Sequence, residues 1–393
     1  MVGTNTTTTD HAHTPRKALL IRNAAAYDFG GAERFVVYLA EQLGQNGWEA
    51  IVVSAHAKIK TLASERHVAY VKGWWWSRQD WHGWRTALTP LYLLWQTVLC
   101  VWYIQLILRL KPDVVHPQSK DDFIAATLAA RLLKKRIIWT DHADLKYIYR
   151  NVRVPFKNPI GKLVRWYSRY ASAITAVSKS ERQLIGTALG ASPPKTYQVI
   201  YNGIVDHAVA PYKRAPGDVG AFIFCATSRL VTAKGIGELI KAFKRTAKDK
   251  NMRLWLLGEG PEEAAFKRLA EGDPHIVFWG FPANSLSMVK SADVFVHPSY
   301  HEGFSLSIIE ASMLQKPIIA CNVGGNPEII TDNETGLLVP PKDAIFLSIA
   351  MQKLAEDTAL RTRLASAART NYEHNYRFDV IVKNNFIPVY EKR

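Results

Sequence analysis

Short apolar runs alternate with amphipathic segments along most of the chain. Apolar runs at 17–23 and 49–54 flank a segment, 32–43, whose apolar positions recur with helical spacing. Strand, helix and strand in this order predict a β–α–β unit with parallel strands. Further strand candidates lie at 114–116, 136–140, 173–177 and 197–201. The first half of the chain is therefore predicted to form a doubly wound parallel sheet.

A polar segment, 206–220, interrupts this alternation with the breakers Pro211, Pro216, Gly217 and Gly220. Strand candidates then resume at 221–226, 253–257, 275–279, 294–297 and 317–321. A chain of 393 residues also exceeds the length that a single core usually fills. We therefore expect an α/β protein with two Rossmann-like doubly wound domains, 17–205 and 221–375, joined by the linker 206–220. Their strand ends should face each other across a ligand-binding cleft.

The two termini give weaker signals. Residues 1–16 are predicted to form a disordered tail, and they lack the basic start and apolar core of a secretory signal. Apolar residues recur with roughly helical spacing in 376–393, which predicts a C-terminal helix. The three cysteines, Cys100, Cys225 and Cys321, stand far apart, without the spacing of a metal site or a disulfide framework. These features favour the cytoplasm.

A tryptophan-rich segment, 74–110, breaks the pattern. No charged residue occurs from 86 to 108, and this length would allow a membrane span. However, Pro90, Gln96 and Gln105 interrupt the apolar run, and the next strand candidate belongs to the sheet already begun. We therefore favour a helix or hairpin in the membrane interface, with its tryptophans at the depth of the lipid headgroups. A buried core helix and a true span remain the alternatives.

The charge is distributed unevenly. The first 200 residues carry +14 of the net charge of +16. This asymmetry indicates an anionic partner of the first half, such as a membrane surface, a lipid phosphate or nucleic acid. A general excess of charge that favours solubility is the alternative explanation.

The segment 294–311 carries the clearest chemical signal. A strand ending at 297 is followed by a loop with Glu302 and by a helix starting near Ser305. The backbone N–H groups of Phe304, Ser305 and Leu306 should then be free to bind an anion such as a diphosphate. Carboxylates only accept hydrogen bonds, so Glu302 suits the hydroxyls of a hexose and Glu310 suits those of a ribose.

Glu302, seven intervening residues, Glu310 and the following Ala311 resemble the signature of the family 4 glycosyltransferases, which have the GT-B fold. Several other segments resemble motifs of that family in the same order. They are 30–34, 113–116, 141–142, 202–203, 227–235, 256–261, 280–281 and 323–328. The resemblance covers nearly the whole chain and implies that residues 376–393 return to the first domain.

The resemblance also implies roles for individual residues. Arg229 and Lys234 would hold the donor diphosphate, and cations there would stabilise the charge that develops as this group leaves. Gly30 and Gly31 would let the backbone approach the donor. His142 would contact the sugar, and His116 and Asn202 are further candidates for acceptor or sugar contacts. No Asp-x-Asp triplet occurs in the chain, so neither a metal nor another cofactor is expected.

The function implied is a retaining transfer of a hexose-type sugar from a nucleotide-sugar to a glycan or lipid-linked acceptor, in polysaccharide or glycolipid biosynthesis. The family's mechanism is front-face attack, in which Glu302 positions the sugar without attacking it. We expect a protein on the inner face of the cell membrane, without a nucleic-acid partner. The alternatives are an epimerase or phosphorylase of the same fold, or a non-enzymatic protein that binds membranes or nucleic acid. The sequence does not predict which base and which sugar the donor carries.

Overall fold

The computed structural model describes residues 15–23, 30–73, 89–142, 145–154, 157–192, 194–247 and 251–392. The strands before the predicted linker are β1 Arg16–Ile21, β2 Trp48–Ser54, β3 Ala69–Lys72, β4 Val114–Pro117, β5 Arg136–Asp141, β6 Ala173–Ala176 and β7 Tyr197–Val199. Those after it are β8 Phe222–Thr227, β9 Met252–Leu257, β10 Ile276–Phe278, β11 Val294–His297, β12 Ile318–Cys321 and β13 Leu337–Val339.

The strands form two parallel sheets. One has the order β3-β2-β1-β4-β5-β6-β7 and the other the order β10-β9-β8-β11-β12-β13. In each sheet the order reverses next to the first strand, between β1 and β4 and between β8 and β11. Ligands of doubly wound sheets bind beyond the carboxyl ends of the strands at such a reversal. The predicted α/β class with two doubly wound sheets is confirmed.

Helices connect successive strands. The longer ones, with at least seven residues, are α1 Gly31–Gln45, α2 Ala57–Glu65, α3 Thr89–Leu110, α4 Phe123–Leu132, α6 Pro159–Tyr167, α7 Lys179–Leu189, α8 Ile236–Thr246, α9 Glu263–Ala270, α10 Ser285–Ser291, α11 Leu306–Met313, α13 Ala344–Glu356 and α14 Thr358–Asn375. The short ones are α5 Leu145–Ile148, α12 Asn326–Ile329, α15 Phe378–Ile381 and α16 Ile387–Glu391. A π-helical turn, Val382–Phe386, joins α15 to α16.

The chain divides into two compact units by its internal contacts. The first comprises residues 1–139 and 167–172, and the second comprises residues 140–166 and 173–393. The predicted linker 206–220 packs within the second unit, where Tyr212 N–H donates to the Ser287 carbonyl over 3.1 Å. Arg214 anchors the same segment through an ion pair with Asp293 at 3.1 Å. The predicted domain limits stay predictions, and most of the predicted N-terminal tail lies outside the described residues.

The central strand of the first unit, β1, is buried on both faces. Leu19, Leu20 and Ile21 are fully inaccessible to solvent, because helices cover both faces of a parallel sheet. β1 pairs with β4 through the registers Leu20 to His116 and Ile21 to Pro117. The two strands therefore end side by side.

Helix α3 is half-buried. Tyr92, Leu99 and Tyr103 belong to its buried face, and the helix packs on α4. Its opposite face is exposed and apolar, formed by Leu91, Leu94, Val98, Val101 and Leu108. Within the described part of the chain, α3 is the one helix long and apolar enough to cross a membrane, with 39% of its most apolar window buried. One face of α3 therefore packs within the first unit while the other is exposed, and the tryptophans at 74–84 lie outside the described residues.

In the second unit, the C-terminal segment lies against the residues just before the linker. Ile204 forms an isolated parallel bridge with Arg377, and Phe378 N–H donates to the Ile204 carbonyl over 3.0 Å. The side chain of Tyr372 donates to the same carbonyl over 3.0 Å. The predicted return of residues 376–393 to the first domain stays a prediction.

Candidate functional site

The candidate site of the second unit lies at the carboxyl ends of β8 and β11. These neighbouring strands pair in parallel, with Val294 opposite Phe224. The segment after β8 carries Arg229 and Lys234, and the segment after β11 carries Glu302 and leads into α11. Two segments that are distant in sequence therefore meet at the reversal of the strand order, as the predicted anion site requires.

Glu302 is the centre of this site. Its Oε1 atom lies 2.5 Å from Lys234 Nζ and 2.9 Å from His297 Nε2. Glu302 and His297 are largely buried, with side chains 12% and 4% exposed. Both partners contact Oε1, so Oε2 remains available to a ligand hydroxyl.

The protonation of Glu302 is set by two opposing effects. Burial raises the pKa of its carboxyl, but the hydrogen bond with His297 and the charges of His297 and Lys234 outweigh burial and lower this pKa to about 2. Glu302 is therefore ionised at any physiological pH. An ionised carboxylate accepts hydrogen bonds but has no proton to donate, so it is suited to hold hydroxyls.

Gly235 brings Lys234 to Glu302. It has a left-handed backbone with φ of 69°, and a Cβ atom there would lie 2.0 Å from the Pro298 carbonyl oxygen. Only glycine allows the turn Thr232–Lys234 to approach the loop after β11 so closely. The glycine that the sequence places after Lys234 therefore has a structural reason.

Arg229 is placed differently from Lys234. It follows β8 directly, its side chain is exposed, and it forms no ion pair with any described residue. Lys234 instead neutralises Glu302. The structure thus brings the two predicted cations to one loop, but it joins only Lys234 to Glu302.

Helix α11 begins where the sequence predicted. Ser305 is its N-cap, and the Ser305 Oγ atom accepts from Ile308 N–H over 3.4 Å and lies 3.3 Å from His297 Nε2. Among the described residues, the N–H groups of Phe304, Ser305 and Leu306 find no acceptor. Unpaired N–H groups at a helix start attract anions. Glu310, on the second turn of α11, is half-buried.

The segment 323–328 packs closely against the backbone of the loop that carries Glu302. Gly324 has a φ of 53°, and a Cβ atom there would lie 1.7 Å from the Glu302 carbonyl oxygen. At the other end of the segment, the Glu328 carboxylate accepts from the backbone N–H groups of Lys179 and Ser180, both over 2.8 Å. Glu328 thus occupies the N-terminus of α7, where an anion is stabilised by the helix dipole.

The second unit also contains two further predicted residues, His142 and Asn202. His142 follows β5 and is half-buried, and Asn202 follows β7 and is buried. Among the described residues, neither side chain forms a hydrogen bond or ion pair with Glu302 or Lys234. Their predicted contacts with a sugar stay predictions.

The first unit holds the remaining predicted residues. His116 is fully buried in β4, and burial lowers the pKa of its imidazole to about 3. Such a histidine is neutral and has no surface for a ligand in this conformation. Gly30 is exposed, and Gly31 is the first residue of α1.

Sequence reasoning missed the residues that fix the start of α1. Glu33 Oε2 accepts from Gly30 N–H over 2.9 Å, and Glu33 Oε1 lies 2.6 Å from Arg22 Nη2. Burial raises the pKa of Glu33, but Arg22 and Gly30 more than compensate, so the pKa is lowered overall. His297 and Glu328 were likewise not predicted as functional. The only available signal was their position at strand ends and within family-like motifs.

The described residues contain no group of three or more histidines, cysteines, aspartates or glutamates that could hold a metal ion. Metal-independent chemistry stays a prediction.

Two Rossmann-like sheets, with a helix start of unpaired N–H groups beside a Lys–Glu pair, are the features expected of the GT-B class of glycosyltransferases. Residues 213–371 match the family model described as Glycosyl transferases group 1, and residues 29–207 match that of Glycosyltransferase Family 4. The chain belongs to glycosyltransferase family 4.

Individual relatives agree with this assignment. The chain is 30% identical over 166 residues to the capsular polysaccharide biosynthesis glycosyltransferase CapM of Staphylococcus aureus, covering 41% of this chain and 43% of CapM. It spans about half the length of such curated relatives.

Solved structures share the fold. A glycosyltransferase from Rickettsia africae superposes with a TM-score of 0.76 at 18% identity, covering 97% of this chain and all of the other. Anabaena HepE in complex with UDP superposes with a TM-score of 0.72 at 19% identity, covering 95% and 99% of the two chains. The GT-B fold predicted from the sequence is therefore confirmed.

Proposed function

We propose that this protein transfers a hexose-type sugar from a nucleotide-sugar to a glycan or lipid-linked acceptor, with retention of anomeric configuration and without a metal. The observation that carries the proposal is the ionised Glu302, held by Lys234 and His297 beside the unpaired N–H groups at the start of α11. This arrangement combines a site for an anion with an acceptor for hydroxyls. A nucleotide-sugar presents both groups.

The donor diphosphate would lie between the start of α11 and the loop after β8. Charge builds on the leaving phosphate as the anomeric bond breaks, so cations at this position stabilise the transition state more than the ground state. Arg229, which has no carboxylate partner among the described residues, is free to pair with that phosphate. Lys234 can do the same if it turns from Glu302 toward the donor. Glu310 would bind the ribose hydroxyls, and Gly30 and Gly31 would border the donor.

Glu302 would bind the transferred hexose through Oε2. Because Oε1 is engaged by Lys234 and His297, the carboxylate is fixed in orientation and its charge is partly neutralised, which makes it a poor nucleophile. This supports front-face attack, in which the leaving phosphate accepts the proton of the acceptor hydroxyl. His142 and Asn202 are proposed as contacts of the hexose or the acceptor, and His116 only after a local rearrangement.

Uridine is the base to test first, because HepE, which has the same fold, was crystallised with UDP. The name of CapM supports a role in polysaccharide biosynthesis. The exposed apolar face of α3, followed by Arg109 and Lys111, supports a peripheral position on the inner face of the membrane and a lipid-linked acceptor.

The test is a panel of UDP-, GDP- and ADP-sugars, with thermal stability and release of the nucleoside diphosphate as readouts. We expect one nucleotide to raise the melting temperature of the protein, and we expect its sugar conjugate to be cleaved slowly by water even without an acceptor. The Arg229→Ala, Lys234→Ala double variant should lose both effects. Lys241→Ala, which removes an exposed lysine of α8, is the matched control. Unchanged turnover by the double variant would refute the proposed role of the two cations.

A further inference from the structure

Two neighbouring buried amides of the first unit, Asn23 and Gln118, have side-chain atoms without hydrogen-bond partners, and Gln42 on α1 is a third such amide. Asn23 follows β1 and is 4% exposed, and Gln118 follows β4 and is 1% exposed. Within the described part of the chain, Asn23 Nδ2 and both polar side-chain atoms of Gln118 find no partner. Buried polar groups are paired in nearly all native proteins, so each exception requires a specific explanation.

The two amides come from segments that are held together. Gln118 N–H donates to the Ile21 carbonyl over 2.8 Å, and Asn23 N–H donates to Ser119 Oγ over 2.9 Å. The Arg22 guanidinium donates to the Gln118 carbonyl. Asn23 and Gln118 therefore sit side by side at the reversal of the strand order, where doubly wound sheets bind ligands.

The surrounding polar groups are satisfied. Arg22 is paired with Glu33. The Ser119 hydroxyl donates to Asp122, whose Oδ1 atom also accepts from the Tyr103 hydroxyl over 2.8 Å. Three unpaired atoms thus belong to two adjacent amides, whose contacting neighbours Arg22, Ser119 and Asp122 are paired.

We propose that Asn23 and Gln118, after a local rearrangement that opens their buried side chains to a ligand, form a subsite for adjacent hydroxyl groups of a neutral sugar. Each amide offers donors, and Gln118 Oε1 offers an acceptor, which matches hydroxyls that both donate and accept. Arg22, the cation that contacts Gln118, is already neutralised by Glu33, so it does not favour a phosphate at the two amides. This inference rests on the proposed function in taking the sugar to be part of the acceptor.

Stability distinguishes this role from a structural one. If the amides exist to bind a ligand, the free protein gains nothing from them. Replacing them with apolar side chains of similar shape should then leave its melting temperature unchanged or raise it. If the amides instead support the fold, the same replacements should lower the melting temperature. Gln118→Met and Asn23→Leu are the appropriate variants, and Gln45→Met, at the exposed end of α1, is the matched control.

The probes are glucose, galactose, mannose and N-acetylglucosamine, each added at millimolar concentration to the full-length protein with UDP present. We expect at least one sugar to raise the melting temperature of the wild type and of Gln45→Met. Its affinity for Gln118→Met and Asn23→Leu should fall about five- to tenfold, as for the loss of one or two neutral hydrogen bonds. The rise caused by UDP alone should persist in both variants.

Three results would overturn the subsite: no response of the wild type to any of the sugars, an undiminished response of both variants, or a lowered melting temperature of the ligand-free variants. The first of these would leave an ordered water as the partner of the amides. Failure of the proposed function has a different signature, which is a wild type that responds to no nucleotide at all.

Discussion

Lys234 Nζ lies 2.5 Å from Glu302 Oε1, although the two residues are 68 positions apart in sequence. The pair is partly buried, and each charge reduces the cost of desolvating the other. In the free protein Lys234 is therefore paired with Glu302, whereas Arg229 has no carboxylate partner among the described residues. The two cations should contribute differently to binding and to turnover.

The first prediction separates these contributions. Arg229→Ala should reduce affinity for the nucleoside diphosphate and reduce kcat by roughly 10²- to 10³-fold, as for the loss of one group that stabilises developing charge. Lys234→Ala should show a similar loss of turnover and, in addition, a lowered melting temperature, because it leaves the buried Glu302 carboxylate with one partner fewer. Steady-state kinetics and thermal unfolding of the two variants measure this difference. Equal stability of the two variants would contradict it.

The second prediction concerns Glu302 and acid. Its pKa in the folded protein, about 2, lies below the ordinary value of 4.5. Its stabilising contribution is therefore present above pH 4.5 and is lost as the pH falls toward 2. Glu302→Gln should lower the free energy of unfolding at pH 7 by roughly 3 kcal/mol, and this deficit should shrink as the pH falls below 4.5. Denaturant unfolding at several pH values tests this, and a deficit that does not depend on pH would contradict it.

The third prediction tests the close approach at Gly235. Gly235→Ala places a Cβ atom against the Pro298 carbonyl and strains a backbone with φ of 69°. The turn must then move away from the loop after β11, which separates Lys234 from Glu302. We expect a loss of stability of about 1–3 kcal/mol together with a large loss of turnover. Gly217→Ala, whose Cβ atom would meet no neighbour, should change neither property.

The fourth prediction concerns Asp122, which burial shifts in the opposite direction. Burial raises its pKa from 3.8 to about 7, despite hydrogen bonds from Ser119 and Tyr103 and the charge of Arg22, and Asp121 adds to the rise. A raised pKa favours the folded state at low pH, and this contribution is lost as the pH rises from about 4 to about 7. Asp122→Asn should therefore be more stable than the wild type at pH 8, and this advantage should disappear near pH 4. An advantage of equal size at both pH values would contradict the shift.

The fifth prediction tests membrane contact by α3. Leu94 and Val98, 62% and 42% exposed, lie on its apolar face. Leu94→Gln, Val98→Gln should reduce co-sedimentation with anionic phospholipid vesicles, while nucleotide binding is retained. Leu132→Gln, which removes an exposed leucine at the end of α4, is the control. Equal sedimentation of all three proteins would exclude the α3 face as the membrane contact.

Most helices and strands could be predicted from the sequence. The run 294–297 coincides with β11, and the helical pattern 32–43 lies within α1. β11 is a fully buried strand and α1 is a strongly amphipathic helix. Hydrophobic periodicity predicts both kinds of element well. The edge strand β3, Ala69–Lys72, was missed because it is short and only partly buried, so it carries little apolar signal. The terminal strand β13, Leu337–Val339, has three residues and was missed for the same reason of length.

The sequence predicted several residues of the site but not the contacts between them. Ser305 as a helix start and Glu302 as a loop carboxylate followed from local patterns, and the structure confirms their positions. That Lys234 and His297 both contact one oxygen of Glu302 depends on the adjacency of β8 and β11 and on the loop conformation, which no local pattern encodes. The unpaired amides of Asn23 and Gln118 could likewise not be predicted from the sequence, because the folded surroundings decide whether a polar group finds a hydrogen-bond partner.

The Glu328 carboxylate on the first N–H groups of α7 has a consequence for biosynthesis. The two partners are separated by 149 positions, so α7 leaves the ribosome long before its anionic cap exists. Because synthesis runs from the N-terminus, this helix gains its last stabilising group only after most of the second sheet has been made. Assembly of the second unit should therefore finish late, and nascent chains that stop before residue 328 should leave α7 exposed to proteases.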